Sequence, residues 1–144
     1  MNSKAMRSEK DADNEIPAFN NTMLALQHVV FARSNIGFYF INRSAFENDD
    51  FITRDERFNR VFGLDYNLIS VNNRWNGRFY LHRSTQPEVS GNELSTGASM
   101  NYNSRYYGGF TDWTYIGENF RSDLGFIRRT DIVKGTTGLS RTFW

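Results

Sequence analysis

Two segments of the sequence carry polar side chains at every second position, and these are the groups best placed to do chemistry. One of them is a histidine, His82, which is a candidate general base. A nucleophile, a base and an orienting residue do not line up in this spacing, so we favour a polar surface over a catalytic site and expect no enzymatic activity. The polar set comprises Asp65, Asn67, Asn76, Arg78, Tyr80 and His82.

Two acidic clusters offer the remaining carboxylate chemistry. Asp11, Asp13 and Glu15 alternate as oxygen ligands of a calcium ion could, but the glycine turn and closing glutamate of an EF-hand are missing. The stretch 47–56 is also rich in carboxylates, which glycoside hydrolysis would need held about 5–9.5 Å apart. Because a solvated loop does not hold such pairs firmly, we interpret both clusters as hydrophilic loops and expect no metal or cofactor.

The composition excludes several classes of site. Cysteine is absent, which rules out disulfides, thiol nucleophiles and cysteine-ligated metals, and His28 and His82 are the only histidines. Seventeen Lys and Arg against sixteen Asp and Glu give a net charge of +1, without the basic excess of a non-specific nucleic-acid binder. We therefore expect one domain of 144 residues with no nucleic-acid partner.

The elements that must position the polar set are β-strands, because its polar residues alternate with apolar ones at a period of two. Polar and apolar side chains then lie on opposite faces of each strand. The stretch 110–116 has aromatic residues on both faces, so its direction is left unassigned. We predict seven strands, at 22–33, 36–46, 57–70, 74–84, 96–106, 109–118 and 131–143.

The connections between these strands alternate in length. Short ones are predicted at 34–35, 71–73 and 107–108. Long polar ones are predicted at 47–56, 84–95 and 119–129. Short turns at one end and long loops at the other are typical of outer-membrane barrels.

This pattern predicts an all-β fold, an antiparallel up-and-down meander that forms part of a transmembrane β-barrel. We expect residues 1–21 to be a polar loop segment or disordered tail and residues 22–144 to be the barrel segment. Because bacterial barrels have an even number of strands, we expect the chain to be a piece of a longer protein. In such a barrel the polar set faces the lumen. The residues expected to face lipid are Phe62, Leu64, Leu68, Trp75, Phe79 and Leu81.

Several motifs resemble the C-terminal region of the DUF5916 family. They are Asn42-Arg43, Asn59-Arg-Val-Phe-Gly-Leu-Asp65, Ile116-Gly-Glu-Asn-Phe120 and Leu124-Gly-Phe-Ile-Arg-Arg-Thr-Asp131. Members of that family usually carry an N-terminal domain similar to family 9 carbohydrate-binding modules, which this sequence lacks, followed by a predicted outer-membrane barrel. The resemblance covers residues 16–142 and implies no catalytic residues.

These observations together favour a non-enzymatic segment of a bacterial outer-membrane barrel, which anchors a carbohydrate-binding-like domain or forms a solute pore. Its expected partners are outer-membrane lipid and the barrel-assembly machinery, with a glycan as a further candidate. The alternative is a soluble antiparallel barrel or sandwich that binds a small ligand or glycan. The two differ in which face is polar, because a small soluble barrel is apolar inside.

Overall fold

The computed structural model describes residues 19–31, 33–46, 57–125, 127 and 129–143. Among these residues, no helix is long and apolar enough to cross a membrane. The regular elements of the described chain are strands: β1 (Phe19–Val30), β2 (Ser34–Ala45), β3 (Phe58–Ile69), β4 (Trp75–Thr85), β5 (Leu94–Asn103), β6 (Tyr107–Ile116) and β7 (Ile132–Arg141).

The seven strands form one sheet in the order of the chain, and each strand pairs antiparallel with the next. The predicted all-β antiparallel meander is therefore confirmed. Within the described residues the sheet is open, with β1 and β7 as its two edges. Strands β1 and β2, β3 and β4, and β5 and β6 follow one another at one end of the sheet, which we call the short-turn end. The end of β2 and start of β3, the end of β4 and start of β5, and the end of β6 and start of β7 lie at the other, the long-loop end.

Some strand ends differ from the prediction. β1 begins at Phe19, earlier than predicted, because Asn20 and Asn21 pair with the end of β2. Asparagine is typical of loops, so the sequence alone does not reveal this pairing. Ser34 and Asn35, where the sequence predicts a turn, are the first residues of β2. Residues 1–18 and the acidic stretch 47–56, with the clusters discussed above, lie outside the described residues.

The turn between β5 and β6 lies earlier in the chain than predicted. The Ser104 backbone N–H donates to the carbonyl of Tyr107 at 2.8 Å, and the Ser104 hydroxyl accepts from the Tyr107 N–H at 3.1 Å. These bonds end β5 at Asn103. Tyr107 and Gly108, which were predicted as the turn, are the first residues of β6.

The register of the paired strands produces two continuous faces across the sheet. Leu64 lies opposite Phe38 and Leu81, whereas Asp65 lies opposite Gly37 and Tyr80. The face of Leu64, which we call the apolar face, includes Leu24, Leu26, Phe38, Phe40, Phe62, Tyr66, Phe79, Leu81, Ala98, Trp113, Tyr115 and Val133. The face of Asp65, the polar face, includes Tyr39, Arg43, Asn59, Asn67, Arg78, Tyr80, His82, Ser84, Ser99, Asp112 and Lys134. The direction that the sequence left open is thereby fixed, with Trp113 and Tyr115 on the apolar face.

Candidate functional site

The structure brings the predicted polar set onto one face of β3 and β4. Asp65 pairs with Tyr80 and Asn67 with Arg78, while Asn76 lies opposite Ile69 nearer the short-turn end. His82 lies two positions beyond Tyr80, on the same face. The alternation seen in the sequence therefore corresponds to a real juxtaposition across two strands.

An ion pair lies at the middle of the polar face. Arg78 donates through Nη2 to Asp65 Oδ1 at 3.0 Å, and His82 Nε2 lies 3.6 Å from the same oxygen. The side chains of Asp65 and His82 are only 18% and 14% exposed, whereas that of Arg78 is 57% exposed. The partly buried carboxylate of Asp65 thus has a cationic partner, as such a charge requires.

Two tyrosines complete this site: Tyr80, which belongs to the predicted polar set, and Tyr39, which does not. Tyr39 lies opposite Gly63, and its ring meets the His82 ring edge-on with centroids 5.0 Å apart. The ring of Tyr80 lies 4.7 Å from that of His82. Tyr39 and His82 come from β2 and β4, so they meet across β3 at a position that has no side chain.

The close approach of these rings explains two glycines. A Cβ atom at Gly63 would lie 2.2 Å from Cε1 of Tyr39, and one at Gly97 would lie 2.4 Å from Cε1 of Tyr80. Each ring covers the backbone of the neighbouring strand, where only glycine leaves room. Gly63 and Gly97 occupy polar-face positions in the alternation, and a glycine at such a position is a sequence signal for a close contact. The strand register is needed to identify which ring covers each glycine.

The chemistry available to this cluster is hydrogen bonding and charge pairing. Asn67 donates to Asn35 at 2.9 Å and continues the polar network toward the short-turn end. Within the described part of the chain, no group of three or more His, Asp or Glu side chains is placed to hold a metal ion. The arrangement can contact water or a polar solute along the face.

A second feature of the polar face is the segment that follows β6. Residues 117–125, which we call the strap, lie over the ends of β3 and β4. The side chain of Asn59 donates to the carbonyl of Arg121 at 3.0 Å and accepts from the N–H of Asp123 at 3.1 Å. Ser84 accepts from the Arg121 N–H at 3.1 Å. The sequence predicts a long polar loop here, and the structure differs by placing that loop against the sheet.

The residues predicted to face lipid all lie on the apolar face. Leu64 is opposite Leu81 and Tyr66 is opposite Phe79, while Leu68 lies opposite Gly77. Four of the six are exposed, namely Phe62 43%, Leu64 48%, Trp75 45% and Leu81 47%, whereas Leu68 and Phe79 are half-buried.

Aromatic and arginine side chains gather where the apolar face ends. At the short-turn end, Trp75 packs on Tyr102 with ring centroids 4.6 Å apart, and the guanidinium of Arg141 lies over the rings of Tyr107 and Phe143. At the long-loop end, the guanidinium of Arg60 lies 4.6 Å from the ring centre of Phe58. The apolar band is thus bordered on both sides by amphipathic side chains.

Comparison with models of protein families, with curated proteins and with solved structures finds no match for this chain.

Proposed function

We propose that this chain is a non-enzymatic segment of a bacterial outer-membrane β-barrel, with its apolar face toward lipid and its polar face toward the interior. The observation that carries the proposal is that leucine side chains on the apolar face are exposed while the charged side chains next to them on the polar face are largely buried. Leu64 and Leu81 face each other and are 48% and 47% exposed. The adjacent Asp65 and His82 side chains are 18% and 14% exposed. Contiguous exposed apolar surface is unfavourable in water and favourable against lipid.

The strand lengths agree with this proposal. The strands contain 10–12 residues. At about 3.3 Å per residue and a tilt of about 45°, such strands rise roughly 23–28 Å, close to the apolar band of about 25 Å on outer-membrane barrels.

The borders of the apolar face support the same proposal. Tryptophan and tyrosine rings favour the headgroup level of a bilayer, where one edge is apolar and the other is wet. Trp75, Tyr102 and Tyr107 border the apolar face at the short-turn end, together with the charged Arg141, and would meet the headgroups there. Arginine next to an aromatic ring can hold its charge in the headgroup region while its stem stays apolar.

The interior would be a polar surface along which a small solute passes, or the barrel would serve as an anchor for a carbohydrate-binding-like domain. The second role follows from the resemblance to the DUF5916 family, and a glycan is the solute or partner that it suggests. Outer-membrane lipid and the barrel-assembly machinery are the further proposed partners. A soluble antiparallel barrel or sandwich is the alternative, and it requires a layer of protein over the apolar face.

The first test of the proposal is solubility. We expect the chain, expressed without detergent, to aggregate rather than elute as a monomer on size exclusion, because it exposes an apolar face and two strand edges. The full-length barrel, extracted from membranes in mild detergent, should migrate faster on a gel before boiling than after it. A monodisperse monomer that melts cooperatively in buffer would refute the membrane proposal.

The second test is the orientation of the connections. An epitope tag inserted between Glu88 and Val89, in the long connection 86–93, should be reached by antibody on intact cells. The same tag between Asn72 and Asn73, in the short connection 70–74, should be reached only after the outer membrane is opened. Equal labelling at both positions would contradict the proposed orientation.

A further inference from the structure

The strap crosses the polar face one strand at a time. Its first residue, Gly117, donates from its N–H to the carbonyl of Leu94 in β5 at 2.8 Å. Arg121 then reaches Ser84 in β4, as described above. Asp123 meets Asn59 in β3. With neighbouring strands about 4.8 Å apart, the strap covers a large part of the width of the polar face at the long-loop end.

Charges fix the far end of the strap. Arg43 of β2 donates to Asp123 Oδ2 at 2.7 Å, and Arg121 donates to Asp123 Oδ1 at 2.6 Å. The carboxylate of Asp123 is therefore shared by two guanidinium groups. Such charge-assisted bonds are stronger and shorter than neutral ones, so the Arg43 contact attaches the strap to β2.

Burial shows that these contacts exclude water. Asn59 is 2% exposed and Ser84 is fully buried, although both are polar. Phe120, within the strap, is 8% exposed and is one of the buried apolar residues of the described chain. The side-chain amide of Asn59 satisfies two backbone groups of the strap, as buried backbone polar groups require.

We propose that the strap lies inside the barrel and forms its constriction at the long-loop end. This inference rests on the proposed function, because it takes the polar face to be the interior. A solute from outside has to pass the strap before it reaches Asp65 and His82 at the middle of the face. The strap then sets the size limit of the passage, and its charged groups in the described chain include Arg43 of β2, Arg121, Asp123 and the exposed Glu118.

The position of the strap can be trapped covalently, since the chain contains no cysteine of its own. The Arg121 backbone nitrogen lies 3.1 Å from Ser84 Oγ, so cysteine side chains at these two positions start close together, and a disulfide forms where the Cα atoms are about 4.4–6.8 Å apart. In the outer membrane of intact cells, the variant Ser84→Cys with Arg121→Cys should form a disulfide without added oxidant. The control pair, Ser99→Cys with Arg121→Cys, should keep free thiols. A free-thiol result for both pairs would overturn the proposal.

The constriction itself is tested by the reactivity of a cysteine below it. Ser99→Cys lies on the polar face in the middle of β5. A membrane-impermeant maleimide added to intact cells should label this cysteine about tenfold faster when residues 118–124 are replaced by Gly-Ser-Gly. The reason is that labelling past the native strap requires local opening of the strap, and the shortened segment removes that requirement. The double variant Asn59→Ala with Asp123→Ala, which keeps the chain length, should raise the rate in the same direction.

The neighbouring residue separates failure of this inference from failure of the proposed function. Ala98→Cys lies beside Ser99 on the apolar face and should stay unlabelled with either strap. If Ala98→Cys is protected and the rate at Ser99→Cys does not change in either strap variant, the barrel proposal stands and the constriction is wrong. If Ala98→Cys is labelled as fast as Ser99→Cys, the membrane proposal itself is wrong.

Discussion

Replacement of Leu81 by arginine is expected to destabilise the protein in a lipid bilayer by about 2–4 kcal/mol, the cost of a cation near the midplane on the lipid face of a barrel. Leu81 lies in the middle of β4, faces Leu64 and is 47% exposed. A guanidinium placed there loses its hydration and gains no ionic partner. Urea unfolding in phospholipid vesicles, followed by tryptophan fluorescence, measures the difference.

The adjacent position is the matched control. His82→Arg places the same charge on the polar face, where Asp65 Oδ1 lies 3.6 Å from Nε2 of the present imidazole and can serve as an ionic partner, and should cost much less. Leu81→Gln, measured in lipid and in a polar amphipol, then separates the membrane proposal from a soluble barrel. A greater loss in lipid indicates a lipid-facing side chain. An equal and large loss in both media would mean that Leu81 lies in a protein core.

The second large effect is expected at Gly63. Gly63→Ala should destabilise the fold by about 1–3 kcal/mol, because the new methyl group would lie 2.2 Å from the Tyr39 ring and force it off the strand. Removal of the Tyr39 ring should relieve the clash. In a double-mutant cycle, Gly63→Ala together with Tyr39→Ala should therefore cost less than the sum of the two single changes.

The control for this prediction is another glycine on the same face. A Cβ atom at Gly37 would have its nearest neighbours at 3.8 Å, which is ordinary contact. Gly37→Ala should consequently change the stability by less than about 0.5 kcal/mol. Equal losses at Gly37 and Gly63 would show that both reflect a general intolerance of β-strand substitutions rather than the tyrosine contact.

The strands and their two faces could be predicted from the sequence because period-two alternation is a local property. Trp75, Phe79 and Leu81 stand at even spacing, and any strand geometry places them on one side. No knowledge of the partner strands is needed for that step. The start of β1 was missed for the opposite reason, since Asn20 and Asn21 become part of a strand only through their pairing with β2.

The strap could not be predicted because its contacts join distant parts of the chain. Asn59 and Asp123 are separated by 64 residues, and the composition of the segment matches that of any polar loop. The contact of Tyr39 with His82 needs the register of three strands at once. Such information is contained in tertiary packing, which local patterns do not determine.

The odd number of strands fixes the directions of the two edges. Because each strand runs opposite to its neighbour, β1 and β7 both run from the long-loop end to the short-turn end. A strand that pairs antiparallel with both edges has to run the other way. A barrel closed only by antiparallel pairs would therefore add an odd number of strands to these seven, and its total would be even. A second copy placed by rotation about the barrel axis would instead meet β1 and β7 along parallel seams.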